Sequence, residues 1–510
     1  MRFRPGTVFL AMGLLLGGCE AGPDFVRPAP PGISAYIPES VSLNLTPGHD
    51  EPAQTLVAGQ AVPRAWYRLF HASVLDGVVR QAIASSPTIA AAQATLAEAQ
   101  QAVLQARGAD YPQLDLAVSA ERQRGPSNLL GQQPGKPLPT YDLYTVGPFA
   151  SFSPDVFGAT ARRVEQQVAL ARYRAYELAA AQLALTGNVV TEALTIASDR
   201  AQVGAVENII ADDKKNVALV RKKFAVGRAP RTDVLLAESQ LANDRALLPP
   251  LRQQQATAEG ALTTLVGKYP AQWSPPAFTL SDLTLPARLP VGIPSALVHH
   301  RPDILAAEAE LHASSAAIGV AVGQTYPSIN LSASLASAAI DPNELFKHSG
   351  LIGFVLGSLT APLFHGGALE AQKQGAIDAF RVSAATYRQV VVQAFGQVAD
   401  SLRMLDQDAR LVGAEHQALL VADASLAMQR LGYKAGRVDV LKLLDAERSD
   451  QQARLGYTRA LAERYLDTVQ LFVAMGGGWS EQRALDSGRP LGARTVRAAP
   501  PSGAAPGAAE

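Results

Sequence analysis

Along the first half of the chain, apolar residues advance in alternating steps of four and three. Val164, Val168, Ala171, Ala175 and Leu178 form such a row; Gln182 interrupts it, and Leu185 and Val189 resume it. That spacing is the narrow seam of a coiled coil. No proline stands between Gly158 and Pro230, nor between Pro362 and Pro490, so both windows are open to unbroken helix. A helix from Ala159 to Phe224 would run about 100 Å, several times the diameter of a small domain. Gly227 with Pro230, and Gly436, mark turns, and Thr232 or Asp233, and Asp439, are candidate N-caps of returning helices. Each half therefore predicts a long helical hairpin.

Between the helical windows the period changes to two. Leu114, Leu116 and Val118, then Tyr144 and Val146, predict two strands in the first half. Ile329, Leu331, Ala333 and Leu335, then Ile352, Phe354 and Leu356, predict two in the second. The first pair flanks a Gly/Pro-rich loop at 125–139. Four strands cannot close a membrane barrel, because a lipid-exposed edge leaves backbone groups unbonded and bacterial barrels begin at about eight strands. Strands shared among chains solve this, and three chains would supply twelve.

The two halves are copies. Pro87, Ile89, Ala91, Ala92, Ala94 and Leu96 recur as Pro302, Ile304, Ala306, Ala307, Ala309 and Leu311, at an offset of 215. Gly108, Tyr111, Pro112 and Leu116 recur in the same register as Gly323, Tyr326, Pro327 and Leu331. Gly227, Arg228, Leu235, Ala237 and Glu238 recur as Gly436, Arg437, Leu444, Ala446 and Glu447, now at 209. The second copy has lost six residues, mostly between the positions matching Pro112 and Phe157, as a surface loop tolerates. Two units are too few for a solenoid and fit a pseudo-symmetric two-half protomer.

The N-terminus adds an address. Arg2 and Arg4 precede an apolar or small run at 7–18 that ends in Leu16, Gly17, Gly18 and Cys19. Twelve helical residues reach only about 18 Å, too short for a bilayer core of about 30 Å, so the run is a secretory signal peptide. Cys19 is the only cysteine, which rules out an internal disulfide or a multi-cysteine metal site. The Leu-Gly-Gly-Cys end resembles the bacterial lipobox, in which the cysteine thiol receives diacylglycerol and the mature chain begins there. Several acyl chains, each contributing about 0.8 kcal/mol per buried methylene, would hold Cys19 in a membrane. Cleavage removes two bases and no acid from a balance of 45 basic and 45 acidic residues, leaving a net charge of −2. That balance provides no field for nucleic acid. The expected organisation is a signal peptide at 1–18, an extended lipid-anchored segment at 19–60, the first repeat at 61–285, the second at 286–480, and a disordered tail at 481–510.

With these parts assembled, the chain resembles the TolC-type outer-membrane factors, specifically the lipoprotein branch (OprM-like, NodT family). The residues that carry the likeness are Cys19 followed by the stretch from Gly22 to Pro28, the stretch from Trp66 to Phe70, Asp155 to Gly158, Leu248 to Leu251, Arg301 to Ile304, Pro362 to Phe364 with Gly366 and Gly367, and Gly476 to Trp479. They cover nearly the whole mature chain in family order. The resemblance implies a mainly helical protomer with a transmembrane β-barrel, assembling as a homotrimer with a twelve-stranded barrel in the outer membrane and a twelve-helix periplasmic tunnel. It implies a passive export duct for small toxic compounds, energised by a periplasmic adaptor protein and an inner-membrane pump of the resistance-nodulation-division type. The cofactor expectation is none beyond the lipid on Cys19.

The resemblance also places a gate at the second helix tip. Tyr433 and Arg437 bracket the turn, and Asp445 and Arg448 match the family's gating carboxylate and its neighbouring arginine. Lys442 stands where the TolC pattern has a second acid. The tips at Gly227, Arg228 and Gly436 would contact the adaptor. The competing reading of Asp445 and Arg448 is an exposed helical pair three residues apart, worth about 0.2–0.5 kcal/mol.

Catalytic signatures are missing. The stretch from Gly131 to Pro137 is one residue short of a phosphate loop and has proline where serine or threonine is required. His299 and His300 have no spaced third ligand, so a solvent-facing or capping role is expected. No enzyme is expected. Two other functions fit the pattern less well: a type I secretion duct, and a lipid-anchored coiled-coil spacer without a pore, which would leave the repeated strands unexplained.

Overall fold

The structure is a computed structural model that describes residues 21–38, 43–46, 53–124, 140–347, 350–477 and 479. The signal peptide, Cys19, the loop at 125–139 and the tail at 481–510 lie outside the described residues.

After a short strand β1 (Thr55–Ala58), the first half continues through a 3₁₀ turn (Trp66–Phe70), α1 (Ser73–Ser85) and α2 (Pro87–Gly108). Strands β2 (Gln113–Gln123) and β3 (Tyr141–Phe152) follow, then the hairpin α3 (Ala159–Ala225) and α4 (Arg231–Leu265). The second half repeats the order: β4 (Arg288–Val291), α5 (Pro294–His300), α6 (Pro302–Gly323), β5 (Ser328–Ala339), β6 (Leu351–Thr360), α7 (Ala368–Lys434) and α8 (Val440–Ala474). Helices α3 and α7 are each 67 residues long, and α4 and α8 are each 35. The long helices therefore span about 100 Å. The start points of α2 and α6 keep the offset of 215, and those of α3 and α7 keep 209, so the six-residue loss lies in the strand-loop-strand segment.

The strands form one antiparallel sheet in the order β2-β3-β5-β6. Pairing of β3 with β5, from Tyr144 opposite Ala339 to Phe152 opposite Leu331, joins the two halves. On β2, Leu114, Leu116 and Val118 share one face and Asp115, Ser119 and Glu121 the other, and both faces are exposed. An apolar face and a polar face on one uncovered strand suit a barrel with lipid outside and water inside. In the single chain β2 and β6 are free edges.

Two sequence expectations need correction. Of the predicted seam, Ala175, Leu185 and Val189 are buried, whereas Val164, Val168, Ala171 and Leu178 are only half-buried, and α3 adds Ala169, Tyr176 and Ala179 to its buried face. The second correction concerns the start of α4: its N-cap is Pro230, not Thr232 or Asp233, whereas Asp439 caps α8 by accepting from the Lys442 amide at 2.8 Å. Within the segment before residue 60, read as extended, β1 pairs in parallel with β4.

The main core lies where the short helices, the β1-β4 pair and the middle of both hairpins meet. Trp66 and Phe70 pack on Phe472 of α8, with ring centres 5.5 and 6.4 Å apart. Arg464 is wholly buried, giving its Nε to Gln54 and an Nη to the Leu45 carbonyl, both at 2.9 Å. This ties the N-terminal segment to α8. Arg301 of the Arg-Pro-Asp stretch donates to the Ala474 carbonyl at 2.9 Å and pairs with Asp303 at 2.5 Å. A cation at the exposed carbonyls of a helix C-terminus is favoured by the helix dipole. A second apolar cluster holds the lower hairpins together, from Val203 and Val220 to Val440 and Leu443.

Candidate functional site at the helix tips

Both hairpins turn by the same device. The Gly227 amide bonds to the Phe224 carbonyl and the Arg228 amide to that of Lys223, at 2.9 and 2.8 Å. At the second tip Gly436 bonds to Tyr433 and Arg437 to Gly432, at 3.2 and 2.9 Å. These paired bonds are the Schellman motif, which needs a left-handed residue after the helix; Gly227 and Gly436 supply it at φ 68° and 73°. Arg228, Gly227, Gly436 and Arg437 are all exposed. The sequence-identified tip residues therefore come together at each turn.

Tyr433 has a different role from its neighbours. It is buried, and Lys223 of the first hairpin lies 3.4 Å above its ring while donating to its backbone carbonyl at 2.9 Å. Burial first, then the nearby Asp233 charge, pushes the Tyr433 hydroxyl above its ordinary range. The residue ties the two tips together; a half-buried cation on an aromatic face contributes about 0.5–2 kcal/mol.

Asp445 and Arg448 meet at 2.6 Å, one helical turn apart, and their side chains are 67% and 63% exposed. Within one chain they form an isolated surface pair. Both lie on the exposed face of α8.

Just above the tips lies a polar network that the sequence reading did not find. Asp212 of α3 receives Lys215 at 2.9 Å and Arg430 of α7 at 2.8 Å; Arg430 also reaches Glu447 of α8 at 3.7 Å, and Glu447 accepts from Asn216. Farther up, Arg454 holds Asp450 and Asp423, at 2.8 and 2.7 Å. Of these, Asp212, Arg430, Glu447, Asp450 and Arg454 line a cavity of about 450 Å³ between α3, α7 and α8. Burial works against ionisation of Asp212, yet hydrogen bonds from Lys215 and Arg430 hold its carboxyl below the usual range. Glu447 is pushed the other way, mainly by burial, against the pull of Asn216 and Arg430. One signal was available: Glu447 repeats Glu238 in the duplicated pattern. Nothing in the local sequence announced that α3, α7 and α8 would converge on it.

Among the described residues, no group of three acidic, histidine or cysteine side chains could hold a metal ion. Nor is any described helix long and apolar enough to cross a membrane. His299, like the pair it belongs to, stands outside any such group.

The sequence profile of the outer membrane efflux protein family matches this chain twice, over residues 78–268 and 293–477, once in each half. The chain belongs to that family. It is 29% identical over 475 residues to the pyoverdine export outer membrane protein OpmQ of Pseudomonas aeruginosa, covering 92% of this chain and 96% of that one. It is 27% identical over 473 residues to the cation efflux system protein CusC of Escherichia coli, covering 92% and 98%. The solved outer-membrane channel OprN superposes with a TM-score of 0.80 at 24% identity, over 90% of this chain and 99% of that one. The outer membrane efflux family comprises TolC-type trimeric channels, so the free edges of β2 and β6 are where neighbouring chains join and three four-stranded sheets make a twelve-stranded barrel. This protein is an outer-membrane efflux channel subunit whose helices extend into the periplasm.

Proposed function

We propose that the chain is the lipid-anchored duct of a three-part pump, joined through a periplasmic adaptor protein to an inner-membrane pump of the resistance-nodulation-division type. The observation that carries this reading is the combination of an open four-stranded sheet, exposed on both faces, with hairpins about 100 Å long. A barrel of that kind crosses the outer membrane, and hairpins of that length reach far across the periplasm. The exposed tips at Gly227, Arg228 and Gly436 are the surfaces offered to the adaptor. Asp445 and Arg448, idle within one chain, act as the gate when three copies bring their second tips together, with Tyr433 and Arg437 shaping the turn that presents them.

The lipid on Cys19 is the anchor. Ala21 donates to the Phe157 carbonyl at 3.2 Å and accepts from Arg162 at 2.9 Å. Arg162 also holds Asp24 at 2.5 Å, Phe25 stacks on His312 at 4.3 Å, and Arg27 pairs with Glu308 at 2.8 Å. Residue 21 is thereby fixed at the junction of β3 and α3, where barrel gives way to helix. Cys19 precedes that residue by two positions in the sequence, so its acyl chains would meet the inner leaflet of the outer membrane.

The names of the relatives refer to pyoverdine export for OpmQ and to cation efflux for CusC, and the cargo of this chain is read as small toxic compounds that the pump selects. The test is gene deletion with sensitivity profiling across drugs, solvents, phenolics and metal ions, alongside co-purification of the tagged protein. Hypersensitivity in at least one class and capture of an adaptor with a proton-driven pump are expected. Capture of an ATP-driven exporter with a polypeptide cargo would overturn the assignment. For the anchor, Cys19→Ser should lose labelled palmitate; continued labelling would contradict it.

A further inference from the structure

The first hairpin carries two acids where its seam should be apolar. On α3 the buried row runs Val206, Ile210, Asp213, Val217 and Val220, in steps of four and three. On α4 it runs Val234, Ala237, Leu241, Asp244, Leu248 and Leu251, with the same steps; all are buried except the half-buried Leu248. Asp213 and Asp244 are only 4% and 3% exposed. Their carboxyls face each other within hydrogen-bonding reach. Each occupies the position of a coiled-coil knob.

The donors around them are already placed. Gln240 gives its amide to one Asp244 oxygen and Gln451 of α8 gives its amide to the other, both at 2.8 Å. Asp213 has an oxygen, Oδ2, that is buried and meets no donor. The charged groups that share a cavity with Asp213 are Asp212 on α3, Arg430 on α7, and Glu447, Asp450 and Arg454 on α8. Arg430 is engaged by Asp212 and Glu447, and Arg454 by Asp450 and Asp423. The sequence neighbours Lys214 and Arg245 are exposed. Two ionised carboxylates in contact at positions this buried repel strongly, whereas one proton between them turns the contact into a hydrogen bond and supplies the missing donor.

We propose that Asp213 and Asp244 form a proton-binding site, sharing one proton that makes the α3-α4 seam and its link to α8 through Gln451 depend on pH. Burial, then the hydrogen bond with Asp244, then the charges of Asp244, Glu447 and Asp212 push the Asp213 carboxyl up to about 8. The sign follows directly. An acid with a raised folded-state value binds its proton more tightly folded than unfolded. The seam is therefore tightest below the ordinary carboxyl range, loosens as pH climbs toward about 8, and loses nothing more above it. The site belongs to one half alone: the positions that repeat Asp213 and Asp244 are Ala422 and Ala453. A separate carboxyl contact, Asp408 with Asp467, lies in the second hairpin and provides a built-in comparison.

Hydrogen exchange on the full-length trimer, corrected for the intrinsic pH dependence of exchange, tests this without reference to transport or gating. Between pH 6 and pH 8, opening of the amides at 206–220 and 234–251 should rise by up to about tenfold per unit, then level off. Infrared difference spectra over the same range should show a protonated carboxyl that disappears. Asp213→Asn supplies a permanent donor, so exchange should become independent of pH and the infrared band should lose one component. Asp408→Asn should leave the first hairpin's response unchanged. Flat exchange in the native protein, or a native infrared band untouched by Asp213→Asn, would overturn the proposal; the native measurements decide even where a variant fails to assemble.

Discussion

The two hairpins have the same lengths, the same Schellman turns and some of the same charges, such as Arg228 with Arg437 and Glu238 with Glu447, yet they differ at the residues expected to gate and cap. Where α8 presents Asp445 and Arg448, the matching positions of α4 are Leu236 and Ser239. Where α8 begins with an aspartate cap, α4 begins with Pro230, which has no side chain able to cap. Pro249 and Pro250 sit inside α4, exposed, opposite Thr458 and Arg459 in the repeat. Each interior proline removes a helix donor. Duplication has kept what sets the backbone path, namely helix length and the turn glycines, and has let the cap and the exposed Asp445-Arg448 pair diverge. In a threefold assembly the six hairpins therefore alternate, and the Asp445-Arg448 pair recurs three times rather than six.

Breaking that comparison should have its largest effect in the core. Phe472, wholly buried against Trp66 and Phe70, corresponds in the repeat to Thr263. Phe472→Ala should lower stability by about 3–5 kcal/mol, as loss of a buried aromatic does, whereas Thr263→Ala should cost about 1 kcal/mol. Denaturant midpoints of the purified trimers would show the gap; equal losses would mean that the halves are equivalent there. A smaller asymmetry is expected at the caps. Asp439→Ala should cost about 1 kcal/mol, because the Lys442 amide loses its acceptor, while Pro230→Ala should change little. Local exchange at the start of α8 and α4 reads the difference.

Much of this architecture was open to inspection before any coordinates. Proline-free windows announced both long helices, period-two runs gave all four barrel strands, and the repeat offsets placed the shortened loop. What escaped has physical causes. Strands β1 and β4 are four residues each and pair across more than two hundred positions, so neither has a periodic signal of its own. The buried face of α3 depends on how α2, α6 and α8 surround it, which left Val164, Val168, Ala171 and Leu178 of the row half-buried while Ala175, Leu185 and Val189 went into the core. Asp213 and Asp244 did interrupt apolar rows visibly, but only their meeting across the hairpin gives the interruptions a meaning. Tyr433 was placed at the gate by likeness, and its contact with Lys223 shows a bond between tips that spacing could not reveal.

The smallest energetic change should have the clearest functional effect. Asp445 and Arg448 are exposed, so removing both should alter the stability of a single chain by no more than about 0.5 kcal/mol. If their task is to hold the second tips together in the trimer, opening should change far more than stability does. Single-channel conductance in planar bilayers, comparing the native protein with Asp445→Ala combined with Arg448→Ala, tests this most directly. The account predicts a low-conducting native channel and a larger, more persistent open state in the double variant. An unchanged, low-conducting double variant would contradict it.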